Sequence, residues 1–388
     1  MDSLLIRDGV VVTPDKLIPS AELGIENGKI AHLGPVGAAP ARRFEKILDV
    51  EGRLVCPGLI ELHTNGALGH DFLQATEKEL AEIAAFQAQQ GTTGFLATLC
   101  TAPQSQMVKA ARTIFTASQK PPEGARILGL HLEGPYFNPE FRRVHPAEWV
   151  RIYTRQELDE VLNACGHTIR LFTLAPEMPG AIDFIAYLRA KGIVASIGHT
   201  GATYAEAIRG IEAGISYSTH TFAAMKEFHH REPGASGASL LDDRVTVEIL
   251  SDGLHLHPGA AMLAWRAKGT DRMVVATDAM AGAGLPDGAY LLAGQQVVVR
   301  EGRTISPEGR IAGGIGTMPL VLRNIQAWLN LPVPEAVRMA TYNPARVLGI
   351  QQRKGSLEVG KEADILICDQ RYTPWMTIVE GKVVFRGG

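Results

Sequence analysis

Five ionisable side chains stand where apolar runs stop. His63 follows LIEL, Glu133 follows ILGLHL, His199 follows VASIG, His220 follows SYST, and Asp278 follows MVVAT. One histidine at the end of such a run is commonly a hydrogen-bonded structural residue. Five groups in the same repeated setting argue that they converge on one place. Two imidazoles and a carboxylate make an open site for Zn2+ or Fe2+, with a position left for water or a substrate oxygen. A divalent ion lowers the pKa of water toward about 7 and polarises a carbonyl. A neighbouring carboxylate can then carry the water proton to a leaving nitrogen. Other chemistries lack their signatures. There is no GxSxG elbow and no cysteine in a Cys/His setting. The GGIGTM stretch lacks the following Lys-Ser/Thr of a phosphate loop and the position of a dinucleotide fingerprint, so it reads as a substrate-facing turn.

Something must hold these five groups together, and the pattern between them says what. Eight apolar runs, LIELHT, TGFLATLC, ILGLHLEG, IRLFTLAPE, VASIGHT, SYSTHTF, VTVEILSDG and MVVATDAM, alternate with helical stretches. Continuous rather than alternating apolar runs are expected of parallel strands covered on both faces. Eight of them predict a closed (β/α)8 barrel, whose active sites gather at the C-terminal strand ends. Thr76 with Glu79, and Thr154 with Glu157, fit the capping box, and Gly91 stands at a helix C-terminus. Both chain ends read as short strands, with tight turns at Asn27-Gly28 and Glu380-Gly381. The expected layout is a small β-sandwich from residues 1–55 and 354–388, and a barrel over 56–353. A hairpin insertion is expected around 287–312, with a helical segment from about Thr317.

At 388 residues, with 46% apolar and 20% charged residues, the chain can bury a substantial core. The net charge of −3 gives no electrostatic case for nucleic acid, and no basic run suggests a membrane surface. Arg7 and Asp8 interrupt the N-terminal apolar run, so no signal peptide is read, and no uncharged stretch is long enough to span a bilayer. Cys56, Cys100, Cys165 and Cys368 are scattered and read as buried thiols, which places the protein in the cytoplasm.

The segments PGLIELHTNG, GLHLEGPYFN, SIGHTGATY, THTFAAM, HHREPGASG, SDGLHLHP and VATDAM resemble, in order, those of the N-acetylglucosamine-6-phosphate deacetylases, a branch of the amidohydrolases. The likeness runs through VRMATYNPARVLGI and GSLEVGKEADILI, and so covers essentially the whole chain. It implies that Glu133, His199 and His220 hold the metal, with His63 a further candidate, and that Asp278 is the catalytic acid/base. It implies that His145 contacts the substrate near the amide carbonyl, with further substrate contacts from Val144, Ala223, Ala224, Thr317 and Met318. Arg231 and His255 would hold a sugar phosphate, reaching across from the neighbouring subunit of a homodimer. One divalent ion per subunit is expected, Zn2+ first and Fe2+ or another ion as alternatives. A second ion is weakly supported, because Asn65 stands where two-metal members carry histidine. Two further departures, Ala223 in place of asparagine and Met280 after Asp278, bear on the sugar. The expected reaction releases acetate from N-acetylglucosamine 6-phosphate, with N-acetylgalactosamine 6-phosphate or another N-acyl amino sugar as alternative. A catalytically silent scaffold is the reading of another class; retention of Glu133, His199, His220 and Asp278 argues against it.

Overall fold

The computed structural model describes residues 3–39, 44–120 and 123–387. The few expected β-sandwich positions outside these ranges are not described further. All eight apolar runs form parallel strands: Leu59–Thr64, Thr92–Cys100, Arg126–Glu133, Ile169–Leu174, Val194–Ile197, Ile215–Ser218, Thr246–Ile249 and Met273–Val275. They pair in chain order. The eighth strand spans only three residues, so the residues just beyond it complete the ring. Asp278 N–H donates to His63 O at 2.9 Å, and Asn65 N–H donates to Ala279 O at 2.6 Å. This joins the first and last functional strand ends directly.

Each strand feeds a helix that returns the chain to the bottom of the barrel. The helix Glu77–Gln89 begins at Thr76 with the full capping box, and Gly91 follows it at φ +78°. At Thr154 only half of the expected box forms: its hydroxyl accepts from Glu157 N–H. The Glu157 carboxylate is occupied elsewhere, accepting from Arg151 and from the Tyr136 hydroxyl. A second complete box, Thr203 with Glu206, starts the helix Tyr204–Ala213.

Strands from both chain ends share one sheet. Leu54–Pro57, just before the barrel, lies between Ile365–Cys368 and Leu4–Val12. Leu23, Ile25, Val55, Ile365 and Ile378 form its separate apolar cluster. The turns Asn27-Gly28 and Glu380-Gly381 have left-handed φ at both positions, as two-residue hairpins of type I′ require. They also touch: a Cβ on Gly28 would lie 2.8 Å from Glu380 O. Arg126 binds the Glu380 carboxylate through two hydrogen bonds of 3.0 and 2.7 Å and so ties the third barrel strand to this sheet.

The segment expected as a hairpin is a three-stranded meander, Gly288–Leu292, Gln295–Arg300 and Arg303–Ile305. The extra strand forms because two tight turns, Ala293-Gly294 and Glu301-Gly302, both adopt left-handed pairs. The helix Met318–Leu329 follows. Among the described residues no helix is long and apolar enough to cross a membrane.

Candidate active site

His199, His220 and Asp278 sit just beyond their strands with left-handed φ of 49°, 32° and 48°. A non-glycine residue held there costs of order 1–3 kcal/mol, and such residues cluster at functional sites. The bend has a consequence for the side chains. His199 Nδ1 lies 2.9 Å from Phe141 O, and His220 Nδ1 lies 3.1 Å from Ala223 O. A carbonyl only accepts, so both Nδ1 atoms carry hydrogen and both Nε2 atoms present lone pairs. These lone pairs meet: the two Nε2 atoms are 3.1 Å apart, and each lies 3.2 Å from Glu133 Oε1. Burial lowers the His199 pKa and keeps its ring neutral. Burial would raise Glu133, but the charge of His63 and the two imidazoles hold it well below the ordinary carboxylate range.

Three acceptor atoms at such distances repel unless a cation lies between them. Tetrahedral ligands at about 2.0–2.1 Å from Zn2+ would be about 3.3 Å from one another. The spacing and chemistry of Glu133, His199 and His220 therefore fit a divalent ion, as the family of metal-dependent hydrolases would require.

Asp278 faces this triad from the closing strand. Asn65 Nδ2 donates to its Oδ1 at 2.7 Å, which orients the carboxylate. Burial raises its pKa, with His63 opposing and Glu133 adding to the rise. His63 Nε2 lies 3.3 Å from Asp278 Oδ1 and 3.5 Å from Glu133 Oε2 without a hydrogen-bond partner. Its Nδ1 bonds Glu248 Oε1 at 2.8 Å. Burial lowers the His63 pKa, but Asp278, Glu133 and Glu248 together carry it well above the usual imidazole value. Glu248 also accepts from His220 N–H at 2.9 Å and from the Tyr217 hydroxyl at 2.9 Å.

A cavity of about 360 Å³ opens above these groups. Glu133, His145, His199, His220, His255, Asp278, Val144, Ala223 and Ala224 line it, so most of the residues singled out in the sequence meet there. His145 is buried, and burial lowers its pKa to about 3. Thr101 N–H donates to its Nδ1 at 3.2 Å. The neutral ring then carries its hydrogen on Nε2, as a donor.

The other singled-out residues take varied positions. His63 lies beneath the cavity wall, fully buried, rather than on it. His255 does not reach away from its own chain: Asp252 Oδ2 holds its Nδ1 at 2.8 Å and turns Nε2 to within 3.9 Å of Asp278 Oδ2. Burial works against the His255 charge, but Asp252 raises its pKa above the usual value. Arg231 is exposed, beside His230, and does not line this cavity. Thr317 and Met318 do not line it either. They open the helix Met318–Leu329, whose first turn drives Met318 into the core at 1% exposure. Met280 is likewise packed away, its sulfur accepting from Gly282 N–H at 2.9 Å. Only Ala223 of the two sugar-related departures faces the cavity.

Among the lining residues not anticipated are Cys100, Arg143 and Arg310, and Asn65, noted in the sequence only as a departure, lines it too. Cys100 could have been found by the rule that found the others, since it ends the second strand. Its sulfur lies 3.7 Å from Glu133 Oε2 and 3.1 Å from Asn65 Oδ1. Burial and Glu133 push its pKa well above the ordinary thiol value, which keeps it a thiol rather than a nucleophile.

A family model described as the amidohydrolase family matches residues 54–384. The N-acetylglucosamine-6-phosphate deacetylase of Bacillus subtilis is 35% identical, with 99% of this chain and 98% of that protein covered. The N-acetylgalactosamine-6-phosphate deacetylase of Escherichia coli O157:H7 is 34% identical, with 98% of each covered. Among solved structures, an N-acetyl-D-glucosamine-6-phosphate deacetylase mutant from Mycobacterium smegmatis, in complex with N-acetyl-D-glucosamine-6-phosphate, superposes with a TM-score of 0.92. That chain is 32% identical, and the match covers 99% of this chain and 100% of it.

Proposed function

The chain belongs to the amidohydrolase family, and on that premise we propose that it hydrolyses the acetamide of N-acetylglucosamine 6-phosphate to glucosamine 6-phosphate and acetate. The observation that carries this reading is the meeting of Glu133 Oε1, His199 Nε2 and His220 Nε2 at 3.1–3.2 Å, with Asp278 facing the same cavity. The named relatives supply the substrate.

A divalent ion held by Glu133, His199 and His220 would acidify water and polarise the amide carbonyl. Zn2+ suits two imidazoles and one carboxylate best, with Fe2+ as the alternative. Asp278, oriented by Asn65, accepts the proton of the attacking water and returns it to the amine as the C–N bond breaks. A carboxylate positioned in this way can act as base and then as acid in the two proton transfers. His145 Nε2–H donates to the carbonyl oxygen as negative charge grows there, an oxyanion contact that strengthens toward the transition state. Val144, Ala223 and Ala224 shape the sugar subsite.

As a phosphate ligand, Arg231 would serve the cavity of a second copy in a homodimer. It lies in the exposed stretch Lys226–Arg231, where Phe228 is 54% exposed. Four free, buried cysteines fit a reducing compartment such as the cytoplasm. The second reading, N-acetylgalactosamine 6-phosphate, is favoured by the E. coli relative.

The test is acetate release from N-acetylglucosamine and N-acetylgalactosamine, each with and without the 6-phosphate, beside metal analysis of the purified protein. The expected result is one bound divalent ion per chain and preference for the phosphorylated glucosamine derivative. Absence of acetate release from all four sugars after metal reconstitution would sink the reading.

A further inference from the structure

The floor of the cavity is acidic and metal-binding in character, but its mouth carries two arginines. Arg143 comes from the loop after the third barrel strand, and Arg310 from the end of the meander insertion, and both line the same cavity. The two loops are tied together. Arg142 Nη2 binds Glu308 Oε1 at 3.3 Å, while Arg142 Nη1 donates to His145 O at 2.7 Å. The insertion is braced on its own side by Ser306 N–H donating to Arg310 O at 2.8 Å. Arg142 is thus consumed in holding the loops, whereas no acidic side chain among the described residues pairs with the guanidinium of Arg143 or Arg310.

Arg143 is also held at a φ of +54°, a left-handed conformation that an arginine rarely adopts. The loop keeps a long cationic side chain at a position where glycine would be at ease. Such strain persists where the surrounding structure imposes it, commonly at ligand sites. The electrostatics point the same way. Burial lowers the Arg143 pKa, and the Arg310 charge lowers it further, so the two like charges that line this cavity repel one another. An anion between them would relieve that repulsion, and planar guanidinium groups suit phosphate oxygens through paired, charge-assisted hydrogen bonds.

We propose that Arg143 and Arg310 form a phosphate-binding clamp supplied by the same subunit as the metal ligands, gripping the anionic end of the substrate while its acetamide reaches the floor. The proposal rests on the deacetylase reading for the identity of the phosphate ester. It differs from that reading in assigning phosphate recognition to the chain's own loops as well as to Arg231 of a neighbouring copy. The clamp orients substrate along the axis of the cavity: phosphate at the mouth, amide between His145 and Asp278. It also gives the meander insertion a task, since Arg310 closes one side of the opening.

Arg143→Gly, Arg310→Gln, the double variant and Arg231→Ala are compared by the ratio of kcat/KM for N-acetylglucosamine 6-phosphate to that for N-acetylglucosamine. Arg143→Gly removes the guanidinium while relieving the left-handed backbone, so the loop keeps its path. Arg143→Lys keeps the charge and tests rescue. Loss of charge-assisted hydrogen bonds should lower the ratio about tenfold or more in each single variant, mainly through KM, and further in the double variant. Partial recovery is expected with lysine. If the double variant keeps the wild-type ratio while Arg231→Ala abolishes it, the clamp is wrong. An equal loss on both sugars is equally fatal, because it would mark a structural effect. Calorimetric titration with inorganic phosphate gives an arm that needs no turnover: the double variant should bind it at least tenfold more weakly. If the wild type releases acetate from neither sugar, the deacetylase reading fails, whereas the phosphate titration still decides whether the arginines form an anion site.

Discussion

Glu248 never touches the cavity, yet the geometry makes it the strut of the metal site. Its carboxylate is fully buried and receives three donors: His63 Nδ1 at 2.8 Å, His220 N–H at 2.9 Å and the Tyr217 hydroxyl at 2.9 Å. Burial would raise its pKa, but the His63 charge and hydrogen bond bring it below the ordinary value, so all three bonds are made to an anion. Glu248→Gln keeps the shape and removes the charge. A hydrogen bond to a charged group contributes about 1.5–3 kcal/mol and a neutral one about 0.5–1.5 kcal/mol, so three bonds lose about 3 kcal/mol together. The amide adds a conflict, since its NH2 must face at least one donor. The cheapest arrangement turns it toward Tyr217, whose hydroxyl can rotate to accept and then leaves its own hydrogen unpaired. The expected destabilisation is about 3–4 kcal/mol by urea denaturation. Tyr217→Phe, which removes one partner only, should cost about 1–2 kcal/mol. His220 N–H loses its charged anchor in Glu248→Gln, so metal affinity should fall about 10- to 100-fold in a chelator competition. A Glu248→Gln protein within about 1 kcal/mol of wild type, with unchanged metal affinity, would refute the strut.

Asp278→Asn should retain the metal and lose turnover by about 10²–10⁴-fold, the range for one positioned acid/base, as read by steady-state acetate release with metal analysis. Stripping the ion with a chelator should lower thermal stability, because Glu133, His199 and His220 are left facing one another. At a free ion concentration of about 1,000 Kd the linked stabilisation is about 4 kcal/mol, and an unshifted melting temperature would count against the metal triad. Asp71 supplies a pH dependence of stability. Burial raises its pKa to about 6, with the Leu73 N–H hydrogen bond opposing, and its Oδ2 has no hydrogen-bond partner. A carboxyl raised on folding contributes stability that is fully present below about 3.8, its unfolded value, and is lost as pH rises through about 6. Asp71→Asn should therefore be more stable than wild type by about 1–3 kcal/mol at pH 8, with the gap closing toward pH 4 in melts across that range. A destabilised variant at pH 8 would contradict it.

The strand ends were legible because the barrel itself imposes the rule. A parallel strand covered on both faces is written as an unbroken apolar run, and the first polar group after it falls at the rim. His199, His220 and Asp278 needed nothing more. What the rule leaves out is the direction in which a side chain turns once it has left the strand. His255 and Met318 were both assigned from resemblance, and local structure turns each: Asp252 hydrogen-bonds His255 toward its own cavity, and the first helical turn packs Met318 into the core. Glu248 was hidden differently. Inside the buried strand Thr246–Ile249 it looks like an interruption of an apolar run, and only the ring geometry shows that it lies under His63 and His220.

The same geometry explains the strain at the functional strand ends. A side chain continuing a strand alternates in and out of the barrel wall, and the residue next at the rim would often point outward or along the axis. A single left-handed residue breaks that alternation and swings the side chain over the opening. His199, His220 and Asp278 each do this, and in the two histidines the bend also leaves Nδ1 on a backbone carbonyl, which fixes the lone pair of Nε2. Strain and tautomer are thus one device. Glycine at these positions would ease the backbone but offer no ligand, and a strand extended by one more residue would carry the imidazole past Glu133. The well-packed apolar core beneath the rim holds three such residues in place, and Arg143 extends the same arrangement to the loop that guards the mouth.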